Sequence, residues 1–376
     1  MSFSKDDTLA VKGIAIILMI QHHNFLSAPR FEGYTVSFFP FSQEFIVLLS
    51  NFFKICVGMY VFLSGYGLAI SMKKYGNDYT LTGRQYKEYT YLRLIKLMAG
   101  YWFIFILSQI VCAITIQRQE TVYFNDGIWN GIYKFFIDFL GLANLFGTGT
   151  LNGTWWYMGL AIFIIIVVPF IAHINKKYGV FLTVAVCILV PRIILFGTDY
   201  NVGSENSIMR WLLAIVLGVA FAQYDVLARM KAFMITKNKI LSKLIKFVIA
   251  TAILIVFYIL RVKYSGNTAN YTYEFRDNIV PVFVIYYCYE FIIDIPILRN
   301  ILMFLGKHSM NIFLMHTFIR LYILQDFVYS FKHFALITLV VLVMSLAVSI
   351  VIEFMKKHLG YNKLVNKITD KLMCRI

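Results

Sequence analysis

Two adjacent histidines, His22 and His23, close an apolar stretch that begins near Lys12. Eleven positions separate Lys12 from His23, about 16 Å along a helix rising 1.5 Å per residue. An ionisable side chain at membrane depth costs roughly 2.5 to 3.5 kcal/mol on insertion scales, which makes such residues functional candidates by default. An imidazole titrating near neutrality can take a proton from a hydroxyl as that hydroxyl attacks. A packed, hydrogen-bonded histidine and a snorkelling lysine are the plain alternatives. Two histidines followed by Asn24 point to a wet cavity.

Other residues invite a second chemistry. Arg93 and Lys96 stand three apart, on one helix face, and make a two-pronged cationic site suited to phosphate. Ordinary charges of a cytoplasmic loop would look the same. Ser64 and Gly65, with Tyr66 and Gly67 behind them, let a ligand or another backbone approach closely, and helix packing through glycine competes with the ligand reading. Trp155, Trp156 and Tyr157 can be a substrate platform or an aromatic belt at a membrane interface.

The elements that position these groups follow from composition. The chain of 376 residues is 60% hydrophobic and 14% charged, against about a quarter charged in soluble domains, which excludes a soluble enzyme. Its 35 Lys and Arg against 19 Asp and Glu give a net charge of +16. In a membrane chain that excess belongs in short loops facing anionic lipid, so no nucleic-acid partner is expected. The five cysteines, Cys56, Cys112, Cys187, Cys288 and Cys374, form no C-x-x-C pair and are expected to be small core residues, with no metal site. The N-terminal stretch lacks a small-residue cleavage site before Gln21 and is expected to be a retained first helix.

Apolar stretches long enough to cross about 30 Å of hydrocarbon fall near residues 10–28, 52–72, 94–116, 155–174, 179–197, 207–224, 245–263, 278–297, 309–328 and 334–355. The fold class expected is therefore all-α: one polytopic bundle over residues 1–376, of about ten transmembrane helices. The stretch 128–147, with Lys134 and Asp138, is shorter and more polar and is placed as an interfacial or re-entrant segment in an outer loop. With both termini cytoplasmic, 24 of the 35 basic residues fall on the inner side, as the positive-inside rule requires. The outer ones, Lys54, Arg192, Arg210, Arg261 and Arg276 among them, are scattered along the chain.

In that order the motifs resemble the acyltransferase family 3 integral membrane proteins. Lys12-Gly13-Ile14-Ala15 followed by His23 is similar to the family's basic residue, ten residues, then histidine. Phe62-Leu63-Ser64-Gly65-Tyr66 resembles its Ser-Gly-Phe, and Arg93-Leu94-Ile95-Lys96 its Arg-x-x-Arg, with Ala99 where proline is often found. Trp156-Tyr157-Met158 with Pro169 resembles Trp-Tyr-Leu and a downstream proline. Leu305-Gly306, Ser309, Ile312-Phe313-Leu314 and His316 resemble the family's closing motif.

The resemblance implies transfer of an acyl group, usually acetyl, from cytoplasmic acyl-CoA to a hydroxyl of a lipid-linked or polymeric cell-surface glycan. The setting would be a bacterial-type plasma (inner) membrane, with membrane lipid as the other partner. It implies His23, or failing it His22, as base. Arg93, Lys96, Ser64 and Gly65 would take the donor, with Lys12 neutralising a phosphate or holding the pantetheine entrance. Trp156, Tyr157, Ser309 and His316 fall on the substrate side. No permanently bound cofactor is implied, and the SGNH hydrolase-like domain that some members append is not expected.

One departure stands out. The glutamate that many O-antigen acetylases carry after the tryptophan motif is missing, so Glu44, Asp126 and Asp138 are the carboxylates left to orient a histidine. Outer loops 29–51, 117–154, 198–206 and 264–277 match no motif; Trp129, Tyr271 and Tyr273 there could stack on sugar, with an aromatic belt as the stronger alternative. A flippase of glycan intermediates would show internal repeats and interrupted helices, and no convincing repeat is found. A glycan polymerase would pair basic residues in a large outer loop.

Overall fold

The computed structural model describes residues 3–76, 79–197, 207–263 and 272–373, and these are helical, with no strand among them beyond one isolated bridge between Ser37 and His333. The helices run α1 (Lys5–Phe25), α2 (Gln43–Phe52), α3 (Ile55–Met72), α4 (Gly83–Thr115), α5 (Arg118–Val122), α6 (Ile128–Phe139), α7 (Tyr157–Tyr178), α8 (Val180–Gly197) and α9 (Leu212–Gln223). They continue through α10 (Val226–Ala232), α11 (Lys239–Lys263), α12 (Val280–Tyr287), α13 (Pro296–Thr317), α14 (Gln325–Tyr329), α15 (Phe334–His358) and α16 (Tyr361–Met373). π-Helical turns precede and follow α12, at Glu274–Ile279 and Cys288–Ile292, and a third follows α13 at Phe318–Ile323.

Each of the ten expected spans lies on helix. Five stretches are long and apolar enough to cross by themselves: Gln43–Met72, Gly83–Thr115, Gly153–Tyr178, Lys239–Lys263 and Phe334–His358. A sixth results if Ile208–Gln223 and Val226–Ala232, bent by 65°, count as one. The others, in α1, α8, the α12 segment and α13, do not meet the same test, and α1 and α13 carry the polar residues of interest. At 12 residues, or about 18 Å, α6 is too short to cross.

What marks these helices as membrane helices is an inverted pattern of burial. On α11, Ser242, Lys246 and Arg261 are buried, whereas Ile240, Leu244, Val248, Ile255 and Ile259 are exposed. On α15, Ser345, Ser349 and Lys356 are buried while Leu339, Val343, Val351 and Phe354 face outward. Only a hydrocarbon solvent favours apolar side chains outside and paired polar ones within. The chain is an all-α, multi-pass membrane helical bundle.

Contacts divide it into two compact units. The first comprises Met1–Arg30, Phe41–Thr80 and Val168–Lys307; the second, Phe31–Pro40, Leu81–Val167 and His308–Ile376. In the first, two pairs of glycines bring backbones together. A Cβ on Gly13 of α1 would stand 2.1 Å from the Leu302 carbonyl oxygen of α13, and one on Gly306 would stand 1.9 Å from that of Leu9. A Cβ on Gly65 of α3 would stand 2.9 Å from the Ile215 carbonyl oxygen, and one on Gly218 of α9 would stand 2.4 Å from that of Phe62. Small residues let helix backbones approach where lipid offers no hydrophobic driving force.

The second unit is centred on an aromatic core of Tyr101, Phe105, Tyr123, Trp155 and Phe318 with Met98, Leu314 and Ile352. Trp155 Nε1 and Asn152 Nδ2 both donate to the Leu314 carbonyl at 3.1 Å, fixing the start of α7 on α13. Cys56, Cys112 and Cys288 are buried and Cys187 half-buried; Cys374 lies outside the described residues.

Candidate active site

Ser4 starts α1 through a capping box. Its hydroxyl accepts from the Asp7 N–H at 3.1 Å, and the Asp7 carboxylate accepts from the Ser4 N–H at 2.9 Å. Eleven positions are close to three helical turns, so Lys12 and His23 share one face of the helix. Lys12 is half-buried, and its carbonyl accepts from Tyr60 Oη at 3.0 Å.

At the other end, the buried His22 ring places Nδ1 2.8 Å from the Ser50 backbone carbonyl on α2. A carbonyl only accepts, so Nδ1 carries the proton and Nε2 keeps its lone pair. Gln21 Nε2 donates to Ser50 Oγ at 3.3 Å, pinning a second α1 residue to the same serine. The half-buried His23 ring lies 5.2 Å from that of His22. The group that orients His22 is thus a main-chain carbonyl rather than a carboxylate.

Of the three carboxylates left open by the sequence, two are engaged with other groups. Glu44 is exposed in the first turn of α2. Asp126 pairs with Lys134 at 2.6 Å. Asp138 is a buried hub of the second unit: its oxygens accept from Tyr123 Oη at 2.5 Å, Thr150 Oγ1 at 2.8 Å and the Leu151 N–H at 2.9 Å. Burial holds its carboxyl above the usual range, although the Tyr123, Leu151 and Thr150 donors act in the opposite sense.

Arg93 and Lys96 sit on α4, whose 33 residues extend about 50 Å, well beyond the hydrocarbon thickness. The Arg93 guanidinium lies 5.5 Å from the Tyr89 ring centre, and its Nε is buried without a hydrogen-bond partner. Lys96 is exposed. A cavity of about 570 Å³ in the first unit is lined by Asp7, Lys231, Asp294 and Arg299. Arg299 pairs there with Asp7 and Lys231 with Asp294, each at 2.7 Å, and Lys243 reaches the other oxygen of Asp294 at 2.8 Å.

Two of the expected site residues make packing contacts. Gly65 is spent on the approach of α9, while its neighbour Ser64 remains half-buried on α3. His316 is fully buried, with Nδ1 2.8 Å from the Phe313 carbonyl and Nε2 3.3 Å from Thr317 Oγ1, so both ring nitrogens are engaged within its own chain segment. Ser309 is buried. Trp156 and Tyr157 are half-buried, their rings 5.9 Å apart, and Tyr157 stands edge-on to Phe313 at 5.6 Å. Tyr271 and loop 198–206 lie outside the described residues.

Two groupings escaped the sequence reading. His308 Nδ1 lies 2.8 Å from Ser349 Oγ, and Asn311 Nδ2 donates to Ser349 Oγ at 3.0 Å and to Glu353 Oε1 at 2.9 Å, the same oxygen that Lys356 reaches at 3.0 Å. Their i, i+3 and i, i+4 spacing on α13 and α15 was the available signal. The other grouping is at the histidine end of the first unit, where Arg210, Arg261 and Arg276 gather round Asp277. Residues scattered in the chain converge there because α9, α11 and the turn before α12 end at one level. Lys54 and Arg261 are near enough for their charges to act on the His22 ring.

A family model described as an acyltransferase domain, the third of that name, matches residues 10–354. No curated protein and no solved structure matches the chain.

Proposed function

The chain belongs to acyltransferase family 3 and is a membrane acyltransferase, and from that premise we propose that it moves an acetyl group from acyl-CoA to a hydroxyl of a cell-surface or lipid-linked glycan. A ring nitrogen of His23 takes the hydroxyl proton as the oxygen attacks the thioester carbonyl. The new C–O bond forms, the C–S bond breaks, and the CoA thiolate leaves with the proton that the imidazolium returns. His22, held by Ser50, packs against His23 and positions it. Arg93 and Lys96 take donor phosphates, Lys12 guards the pantetheine path, and Ser64 lines it. Trp156, Tyr157 and Ser309 contribute on the substrate side.

The observation that carries this reading is α1 itself. Lys12 and His23 share a face about 16 Å apart, of the order of an extended pantetheine arm. The test is whether membranes containing the protein consume labelled acetyl-CoA and deposit label on glycan. No consumption with any glycan acceptor would overturn the proposal. Label trapped on His23 without acceptor would replace direct attack by an acyl-histidine relay.

A further inference from the structure

Beyond the end of α4 the chain turns through Gln117, a glutamine in the left-handed region at φ 50° and ψ 31°. Glycine or asparagine is the usual occupant where a helix ends this way, so a glutamine costs stability there. Strain of this kind clusters at functional sites. Gln117 lines a groove of about 600 Å³ in the second unit, between the last turns of α4 and the short helix α5. Ile110 and Ala113 supply an apolar floor. Ile106, Ile110 and Ile114 form an exposed stripe at i, i+4 and i+8, so the groove opens along the lipid-facing side of α4. This is the end of α4 that the charge bias of the sequence assigns to the outer side.

Phe124 gives the groove an aromatic wall. A Cβ on Gly131 of α6 would stand 2.1 Å from Cδ1 of that ring, so the glycine makes room for Phe124 and lets it rest against α6, 37% exposed. The polar wall is fixed in what it offers. Tyr123 Oη gives its proton to Asp138 at 2.5 Å, so it only accepts from Gln109, whose Nε2 lies 3.0 Å away. Gln119 Nε2 donates to the Gln109 backbone carbonyl at 2.6 Å. Each amide thus turns its nitrogen to the chain and keeps its oxygen, Oε1, as an acceptor. Glu120 adds an exposed carboxylate, and neither it nor the Gln117 amide is paired among the described residues.

No Lys, Arg or His lines the groove among the described residues. The neighbouring Arg118 is engaged elsewhere, donating to the Leu151 carbonyl at 2.8 Å with its guanidinium 4.0 Å from the Tyr322 ring centre. A wall of acceptors without a cation disfavours phosphate and carboxylate and takes hydrogen-bond donors, hydroxyl or ammonium. With an aromatic ring and an apolar floor beside it, that wall fits a saccharide, which bonds through its hydroxyls and rests its C–H face on the ring.

We propose that this groove binds a neutral or amino saccharide through its hydroxyl or amine hydrogens. The groove stands on the geometry alone; that the saccharide is the acceptor of the acyl group rests on the acyl-transfer reading.

Binding measured apart from turnover separates the two. The full-length protein in lipid nanodiscs free of sugar detergent is titrated with three oligosaccharides of equal length, one neutral, one of free-amine hexosamines and one of uronic acids. The neutral or the amine probe should bind the wild type, and the uronate should bind at least about tenfold more weakly. The first two arms tell hydroxyl from amine recognition. Glu120→Ala should weaken binding about two- to tenfold, the loss expected for one hydrogen bond. Gln117→Gly should weaken it to a similar extent and yet unfold no earlier than the wild type, because glycine takes the left-handed turn without strain. Failure of both the neutral and the amine probe to bind the wild type, uronate binding of equal strength, or wild-type affinity in both variants overturns the inference. In the transfer assay the same variants should raise KM for the glycan and leave KM for acetyl-CoA unchanged. Sugar binding without transfer to any acceptor would leave the groove standing and sink the acyl-transfer reading, whereas transfer to glycan without sugar binding would sink the groove alone.

Discussion

Nδ1 of His22 stands 2.8 Å from the backbone carbonyl of Ser50, and this contact decides which nitrogen of the ring keeps a lone pair. It also fixes the end of α1 on α2, so the neighbouring His23 is presented from a rigid element rather than from a loop. Rigid presentation matters because a base must reach hydrogen-bond distance of the proton it removes.

Replacing His23 by Ala should lower transfer at least about a hundredfold, the lower range for a general base, with insertion and helicity unchanged. His22→Ala should act differently. It leaves the Ser50 carbonyl without its donor, which costs about 1–3 kcal/mol of stability, and it should reduce kcat more than it raises KM for acyl-CoA. Label transfer and thermal unfolding on the same preparations check both. Wild-type transfer in the two variants alike would remove the pair from the mechanism.

Arg93→Gln should raise KM for acetyl-CoA about tenfold and leave kcat within about twofold, the signature of binding lost equally from ground and transition states. Acetyl-dephospho-CoA, which lacks one phosphate, should show a smaller difference between wild type and variant if that phosphate is the one held. Kinetics with both donors measure this, and an unchanged KM would move the donor phosphates elsewhere.

Gly306→Val should fail to give folded protein, because even a Cβ there would stand 1.9 Å from the Leu9 carbonyl oxygen, and overpacking on this scale costs about 1–3 kcal/mol or more. Gly67→Ala is the control. Nothing lies within 4 Å of its Cβ position, so the change should be neutral or stabilise by up to about 1 kcal/mol through helix propensity. Yield of monodisperse protein in detergent distinguishes the two.

Asp138→Ala should destabilise the second unit by about 3 kcal/mol or more, since Tyr123 and the Leu151 N–H would lose their acceptor in a buried setting and Thr150 would keep only its longer bond, to the Asn152 carbonyl at 3.2 Å. The Tyr101 hydroxyl would keep its bond, because it donates to the backbone carbonyl of residue 138 at 2.7 Å and not to the side chain. Thermal unfolding compared with Tyr101→Phe tests the ranking, and a smaller loss for Asp138→Ala than for Tyr101→Phe would refute it.

Much of this molecule is legible in its residues alone. Apolar runs and the shortage of charge determine a membrane helical bundle, because hydrocarbon leaves the backbone few other ways to satisfy its hydrogen bonds. The Lys12 to His23 spacing determines a shared helix face, because helical geometry is local. What sequence could not settle depends on contacts between distant segments. Gly13 and Gly306 read as parts of separate motifs and prove to be two halves of one helix crossing. That Gly65 meets α9, and that His316 bonds within its own segment, is likewise a matter of the fold and not of the motifs. Arg210, Arg261 and Arg276 read as scattered outer charges, and only the tertiary structure gathers them round Asp277. Local propensity acts over a few residues, whereas an ion cluster belongs to a place in space, and the fold alone decides which charges share it.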